Sequence, residues 1–103
     1  MKSCITCGMR LEGVHAGDVG METPEGLVCK YDSENGKIKS GDEIFEGGVN
    51  FFASAACDGD RNLAVRITRK NMGVLPYWQA HYFAALDGDT ATDEEFASAM
   101  AKL

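Results

Sequence analysis

The sequence lacks an apolar run long enough to cross a membrane, and residues 1–4 lack the apolar segment that a signal peptide needs. We therefore expect a cytoplasmic protein with no membrane partner. The sequence also lacks an HExxH motif, an internal repeat and a low-complexity tract. No Glu or His stands at a recognisable spacing for a general base, so we predict neither an enzyme nor a small-molecule substrate.

Acidic residues outnumber basic ones by 16 to 10, which gives a net charge of −6 and disfavours general affinity for nucleic-acid phosphates. The charges are unevenly placed. Residues 61–86 contain no acid but hold the basic side chains Arg61, Arg66, Arg69 and Lys70, and an acidic stretch follows from Asp87. This asymmetry favours pairing of one helix with another over a partner-binding patch.

Three of the four cysteines show the spacing of a metal site. Two residues separate Cys4 from Cys7, and two residues again separate Cys29 from Asp32. Thiolates and carboxylates are accepted ligands of tetrahedral zinc, and closely spaced cysteines in a reducing compartment are more often metal ligands than a structural disulfide. We predict one structural zinc ion held by these four residues. Gly8, directly after Cys7, suits the left-handed backbone that such a turn tends to need.

The identity of the fourth ligand is open between Asp32 and Cys57. Asp32 has the right spacing, although a carboxylate makes a harder and less selective site than a thiolate. Cys57 lies in an alanine-rich apolar stretch, where a free cysteine most often packs as a small hydrophobe. We therefore prefer Asp32 and regard His15 and His81 as weaker candidates.

The composition of the chain changes near residue 42, and we predict a zinc ribbon in residues 1–42 and a helical region in residues 43–103. The first region is too polar and glycine-rich to build a good core alone, so it needs the metal. The predicted fold class is a small α+β protein, in which short β-hairpins around a metal pack against a short helical C-terminal region.

Turn signals divide the first region. Glycines and Pro24 predict a loop over residues 13–26. Residues 26–29 read as a short strand that leads into Cys29. Asn35-Gly36 is a strong tight-turn signal, and residues 37–39 are predicted to return as a strand.

Two segments resemble the zinc ribbon family of small prokaryotic proteins. They are Cys-Ile-Thr-Cys-Gly-Met at residues 4–9 and Val-Cys-Lys-Tyr-Asp-Ser-Glu-Asn-Gly-Lys-Ile at residues 28–38. The family typically reads Cys-x-x-Cys-Gly-Met-Pro, then Tyr-Cys-x-Tyr-Cys, then Gly-x-Phe. The resemblance is tight over residues 4–38 and looser to about residue 78, where Leu75-Pro76 looks like the family's Leu-Pro. It implies a zinc ribbon fold and a bound metal, but no activity.

Among the positions that depart from the family pattern, three bear on the metal site and its surroundings. Arg10 stands where the family has Pro, and Ile38 stands where it has Phe; neither is at a ligand position. Asp32 stands where the family has its fourth Cys, which is why the fourth ligand is the open question.

In the second region, we expect Gly47-Gly48 to interrupt helix formation over residues 43–56. Residues 61–72 are ambiguous between strand and helix, because Leu63, Val65 and Ile67 alternate. Asp60 as an N-cap, together with the resemblance, favours helix. A helix over residues 77–86 follows, with Trp78, Tyr82 and Ala85 on one face. A last helix begins with a capping box of Thr92 and Glu95.

The function that we expect is that of a protein-interaction or adaptor module. The alternative is a nucleic-acid-binding zinc ribbon, in which charge and stacking groups combine, namely Arg61, Arg66, Arg69, Lys70 and Trp78. A thiol redox role for Cys4 and Cys7 is less favoured, because the residues after Cys7 do not suggest a thioredoxin-like helix.

Overall fold

The structure, a computed structural model, describes residues 2–103 and is a small α+β arrangement. Two antiparallel hairpins occupy the N-terminal part: β1 (Val19–Thr23) pairs with β2 (Gly26–Cys29), and β3 (Ser33–Glu34) pairs with β4 (Lys37–Ile38). The helices that follow are α1 (Gly41–Ala55), α2 (Arg61–Gly73), α3 (Pro76–Ala80) and α4 (Asp93–Ala101). Short 3₁₀ helices span Gly13–Asp18 and Ala84–Leu86.

The first hairpin corrects one expectation. Residues 13–26 were expected to form a loop, but they contain the 3₁₀ helix and β1. The turn that closes this hairpin is organised by Thr23, whose hydroxyl accepts hydrogen bonds from the backbone N–H groups of Glu25 and Gly26, both at 3.1 Å. Gly26 has a φ of 138°, a conformation that a side chain would strain.

The second hairpin confirms the predicted turn. Asn35 and Gly36 have φ values of 52° and 75°, the pair of left-handed residues that a tight two-residue hairpin turn requires. The turn brings β4 back against β3, and Ile38 then packs against the apolar clusters of both halves of the protein.

Helix α1 runs straight through Gly47-Gly48, so the expected interruption is wrong. The reason lies in the packing of α1 against α2. A Cβ placed on Gly48 would lie 3.0 Å from Cγ2 of Thr68 on α2, which is a very tight contact. Gly48 therefore lets the two helices approach closely, and the packing offsets the cost of glycine within a helix, about 1 kcal/mol.

Helix α2 resolves the ambiguity over residues 61–72 in favour of helix. The side chain of Asp60 accepts a hydrogen bond from the N–H of Leu63, as predicted for an N-cap. The buried face of α2 is formed by Ala64, Ile67, Thr68 and Met72, which follow helical spacing. The alternation of Leu63, Val65 and Ile67 is therefore coincidental.

The third helix is much shorter than predicted. Helix α3 ends at Ala80, and His81 leaves the helical conformation with φ −124° and ψ 52°. Phe83 then inserts its ring between Phe45 and Trp78, with centroid separations of 6.2 and 5.0 Å. Tyr82, which was expected to share a face with Trp78, is 60% exposed.

Helix α4 begins with the predicted capping box. Thr92 accepts a hydrogen bond from the N–H of Glu95, and the Glu95 side chain accepts one from the N–H of Thr92. Glu95 also pairs with Arg66 at 2.6 Å, and Asp93 pairs with Lys70 at 2.8 Å. In these two ion pairs, basic residues of α2 contact acidic residues of α4, as the charge asymmetry of the sequence predicted.

Thr92→Ala should lower the free energy of unfolding by about 1 kcal/mol, because the N-cap hydroxyl satisfies a helix N–H that alanine leaves unpaired. Urea denaturation followed by far-UV circular dichroism measures the change. Thr90→Ala, at an exposed position before the helix, is the matched control and should change stability little. Equal losses in both variants would contradict the role assigned to the cap.

The buried residues form two clusters. The larger lies among the helices and includes Ile44, Val49, Ile67, Met72 and Trp78. The smaller consists of Cys4, Leu11, Val28 and Cys29, so two of its four buried members are predicted metal ligands. Within residues 2–103, no helix has the length and apolar character needed to span a membrane.

Candidate metal centre

The four predicted ligands converge at one point between the N-terminal segment and the hairpins. Cys4, Cys7, Cys29 and Asp32 each present one ligand atom, and these atoms all lie within 4.8 Å of one another. Cys4, Cys29 and Asp32 are buried, and Cys7 is partly exposed. The sequence spacing therefore brings together a group that could hold a metal ion.

The first knuckle, residues 4–9, is a tight loop closed by backbone hydrogen bonds. The N–H of Gly8 donates to the carbonyl of Cys4 at 2.8 Å, and the N–H of Cys4 donates to the carbonyl of Met9 at 2.8 Å. Gly8 has a φ of 78°, which confirms the left-handed conformation predicted for it. This loop directs the Cys4 and Cys7 sulfurs to the same side.

The second knuckle, residues 29–32, continues from β2. The N–H of Asp32 donates to the carbonyl of Cys29 at 3.2 Å, which forms the turn between the two ligands. The N–H of Cys29 donates to Sγ of Cys4 at 3.2 Å, and the N–H of Ile5 donates to the carbonyl of Leu27 at 2.9 Å. The two knuckles are thus joined directly to each other.

Two of the distances between ligand atoms match those of tetrahedral coordination. A metal–sulfur bond of about 2.3 Å places two sulfurs of a tetrahedron about 3.8 Å apart, and a sulfur and an oxygen about 3.6 Å apart. Sγ of Cys7 lies 3.8 Å from Sγ of Cys29, and Sγ of Cys4 lies 3.7 Å from Oδ2 of Asp32. Three sulfurs and one carboxylate are a donor set that zinc accepts.

Thr6 is a fully buried polar residue inside the first knuckle, and the sequence interpretation overlooked it. Its hydroxyl donates to Oδ2 of Asp32 at 2.7 Å and lies 3.0 Å from Sγ of Cys4. One hydroxyl thus touches two of the four candidate ligands. The sequence does show a polar residue between two ligand cysteines. The spacing of the cysteines does not indicate which group that residue contacts.

The four side chains of the cluster all become negative on ionisation, and their proximity shifts their pKa values. The pKa of Cys4 is lowered, because the side chains of Cys29 and Cys7 hydrogen-bond to its sulfur. The pKa of Cys29 is raised to about 12, chiefly by its hydrogen bond to Cys4. The pKa of Cys7 is also raised, first by its hydrogen bond to Cys29, and that of Asp32 is raised by burial. Ionisation of all four together requires a compensating cation.

The helical region holds the first knuckle through two backbone carbonyls. Nε1 of Trp78 donates to the carbonyl of Thr6 at 2.8 Å, in a buried bond, and Nδ2 of Asn71 donates to the carbonyl of Cys7 at 3.0 Å. These acceptors belong to a residue between the ligands and to a ligand itself. Trp78 was predicted to contact a partner. Its side chain is instead only 4% exposed and packs inside the protein.

The other candidate ligands lie elsewhere. Cys57 is buried in the helical cluster, where burial raises the pKa of its thiol. His15 is paired with Asp18 at 2.9 Å, and His81 stacks on Tyr77 at a centroid separation of 4.3 Å. None of the three belongs to the converging group.

The predicted basic patch makes intramolecular contacts. Arg61 donates to Glu46 and Asn50, at 2.8 and 2.7 Å, and Arg69 donates to the carbonyls of Ala85 and Asp89, at 3.0 and 3.3 Å. Arg66 and Lys70 pair with acids of α4, as described above. These contacts favour a structural role for the patch, and its partner-binding role stays a prediction.

Comparison of the chain with protein-family models, with curated proteins and with solved structures found no match. The resemblance to the zinc ribbon family therefore depends on the two motif segments. The class that the geometry defines is a small α+β protein with a cluster of three cysteines and one aspartate that could hold a metal ion.

Proposed function

We propose that this protein is a small zinc-binding protein of the zinc ribbon type, in which one ion has a structural role. The observation that carries the proposal is the convergence of Cys4, Cys7, Cys29 and Asp32 within 4.8 Å. Catalytic zinc usually keeps three protein ligands and one open position, whereas structural zinc is closed by four. Four protein ligands, three of them buried, favour the closed, non-enzymatic type.

Native mass spectrometry of the purified protein, with and without a chelator, tests this proposal. We expect one zinc ion per chain, lost on chelation. Binding should weaken as the pH is lowered, because thiols and carboxyl groups must release their protons to become ligands. A purified protein that takes up no metal at neutral pH, yet has ordered hairpins, would contradict the proposal.

The biological role that we propose is that of a protein-interaction or adaptor module in the cytoplasm. The metal crosslinks the two knuckles and so fixes the surface that they present. The acidic balance of the chain supports a protein partner over a nucleic acid. Tyr31, Phe51 and Tyr82 are exposed aromatic side chains on which such a partner could pack. An electrophoretic mobility shift of mixed DNA or RNA at physiological salt would favour the nucleic-acid alternative instead.

A further inference from the structure

Thr6 stands out among the buried polar residues because its hydroxyl touches two candidate ligands. It is fully buried, and its 2.7 Å bond to Oδ2 of Asp32 is short and lies in a protected environment. The backbone of the same residue is fixed, because its carbonyl accepts the hydrogen bond from Nε1 of Trp78 at 2.8 Å. The hydroxyl is therefore held in place from the helical region.

The carboxylate of Asp32 has two ways of binding a metal ion. It can offer one oxygen, which completes a four-coordinate site, or it can turn both oxygens toward the ion and expand the coordination. Thr6 donates to Oδ2, the same oxygen that lies 3.7 Å from Sγ of Cys4 and is placed to be the ligand. The bond therefore holds Oδ2 in the one-oxygen arrangement, because turning Oδ1 toward the ion as well would swing Oδ2 away from its donor. Partners of this kind orient metal ligands in many sites.

We propose that Thr6 is a positioning residue that keeps Asp32 a one-oxygen ligand, and thereby keeps the metal site tetrahedral and selective for zinc. This inference rests on the metal site proposed above. A site with four thiolates, as in the family pattern, needs no residue in the position of Thr6, because a sulfur ligand has no second donor atom to keep away from the metal. Thr6 would compensate for the presence of Asp32 at the fourth position.

The test uses the full-length protein loaded with Co²⁺, whose visible absorption is stronger in tetrahedral sites than in sites of higher coordination. Thr6→Val keeps the shape of the side chain but removes the donor. We expect weaker Co²⁺ absorption and a 10- to 100-fold loss of Zn²⁺ affinity, on the order reported for such partners. Thr6→Ser keeps the hydroxyl and should retain the wild-type spectrum even if the lost methyl group reduces stability.

A double-mutant cycle separates positioning from a general structural role. In an Asp32→Cys background there is no carboxylate to orient, so Thr6→Val should change Zn²⁺ affinity and the Co²⁺ spectrum little. The inference is overturned if Thr6→Val matches the wild type, if Thr6→Ser loses as much as Thr6→Val, or if the loss is the same in the Asp32→Cys background. Thr6→Ala replaces Thr6→Val if the valine variant does not fold.

These outcomes are distinct from failure of the metal site itself. If the wild-type protein binds neither Co²⁺ nor Zn²⁺, the proposed function is wrong and the positioning role falls with it. If the wild-type protein binds both but the valine variant is indistinguishable from it, only the role of Thr6 is wrong.

Discussion

Cys4→Ser should abolish metal binding and unfold residues 2–38, while α1, α2 and α4 keep their helical structure. The small cluster of the hairpin region has four buried members, and two of them, Cys4 and Cys29, are proposed ligands. Little apolar burial is left once the ion is lost. Structural zinc contributes about 10 kcal/mol or more in small domains, which matches or exceeds a typical net stability of about 5–15 kcal/mol.

Hydrogen exchange measured by mass spectrometry distinguishes the two regions. Peptides from residues 2–38 should lose protection in the variant, and peptides from α1 and α2 should keep most of theirs. Cys57→Ala is the matched control, because Cys57 is also buried but lies among the helices. It should keep the metal. Metal loss in Cys57→Ala would mean that the fourth ligand has been wrongly assigned, and protected hairpins in Cys4→Ser would mean that the ion is dispensable.

Trp78→Ala should cost about 3–5 kcal/mol of stability, the range found for removal of a large buried aromatic side chain. Trp78 packs edge-to-face against Tyr77 and Phe83, with centroid separations of 4.8 and 5.0 Å. It is also the donor to the carbonyl of Thr6. A single side chain therefore contributes to the helical core and to the attachment of the first knuckle.

Trp78→Phe separates these two contributions. Phenylalanine keeps one six-membered aromatic ring in the core but lacks the indole N–H, so the Thr6 carbonyl loses its donor. That loss should cost about 1–3 kcal/mol, beside a packing loss smaller than that of alanine. Because this carbonyl lies between two ligands, Zn²⁺ affinity should fall as well. Urea denaturation followed by circular dichroism, and titration with a zinc indicator, measure the two effects. Tyr82→Ala, at an exposed aromatic residue, should change both little. Unchanged metal affinity in Trp78→Phe would show that the two regions are energetically independent.

The ligand cluster was predictable because each knuckle is a local structure. A spacing of two residues and a left-handed Gly8 determine where the sulfurs point, and the position of Asp32 repeats that spacing. The caps at Asp60 and Thr92 were predictable for the same reason, since each depends on a residue only three positions away.

The features that the sequence did not predict depend on distant partners. Gly48 stays helical because it packs against Thr68, and the chain leaves the helix at His81 so that Phe83 can reach Phe45. The buried hydrogen bond of Thr6 depends on Asp32, which is 26 positions away. Such contacts are decided by tertiary packing, which overrides local propensity.

The bond from Trp78 to Thr6 joins residues 72 positions apart, and this separation has a consequence for synthesis on the ribosome. Synthesis proceeds at about 5–20 residues per second, so Trp78 is added on the order of 4–14 s after Thr6. During that interval the nascent segment carrying Cys4 and Cys7 is open to the cellular metal pool and to oxidants alike. Loading with zinc before translation finishes would protect these sulfurs until the helices arrive.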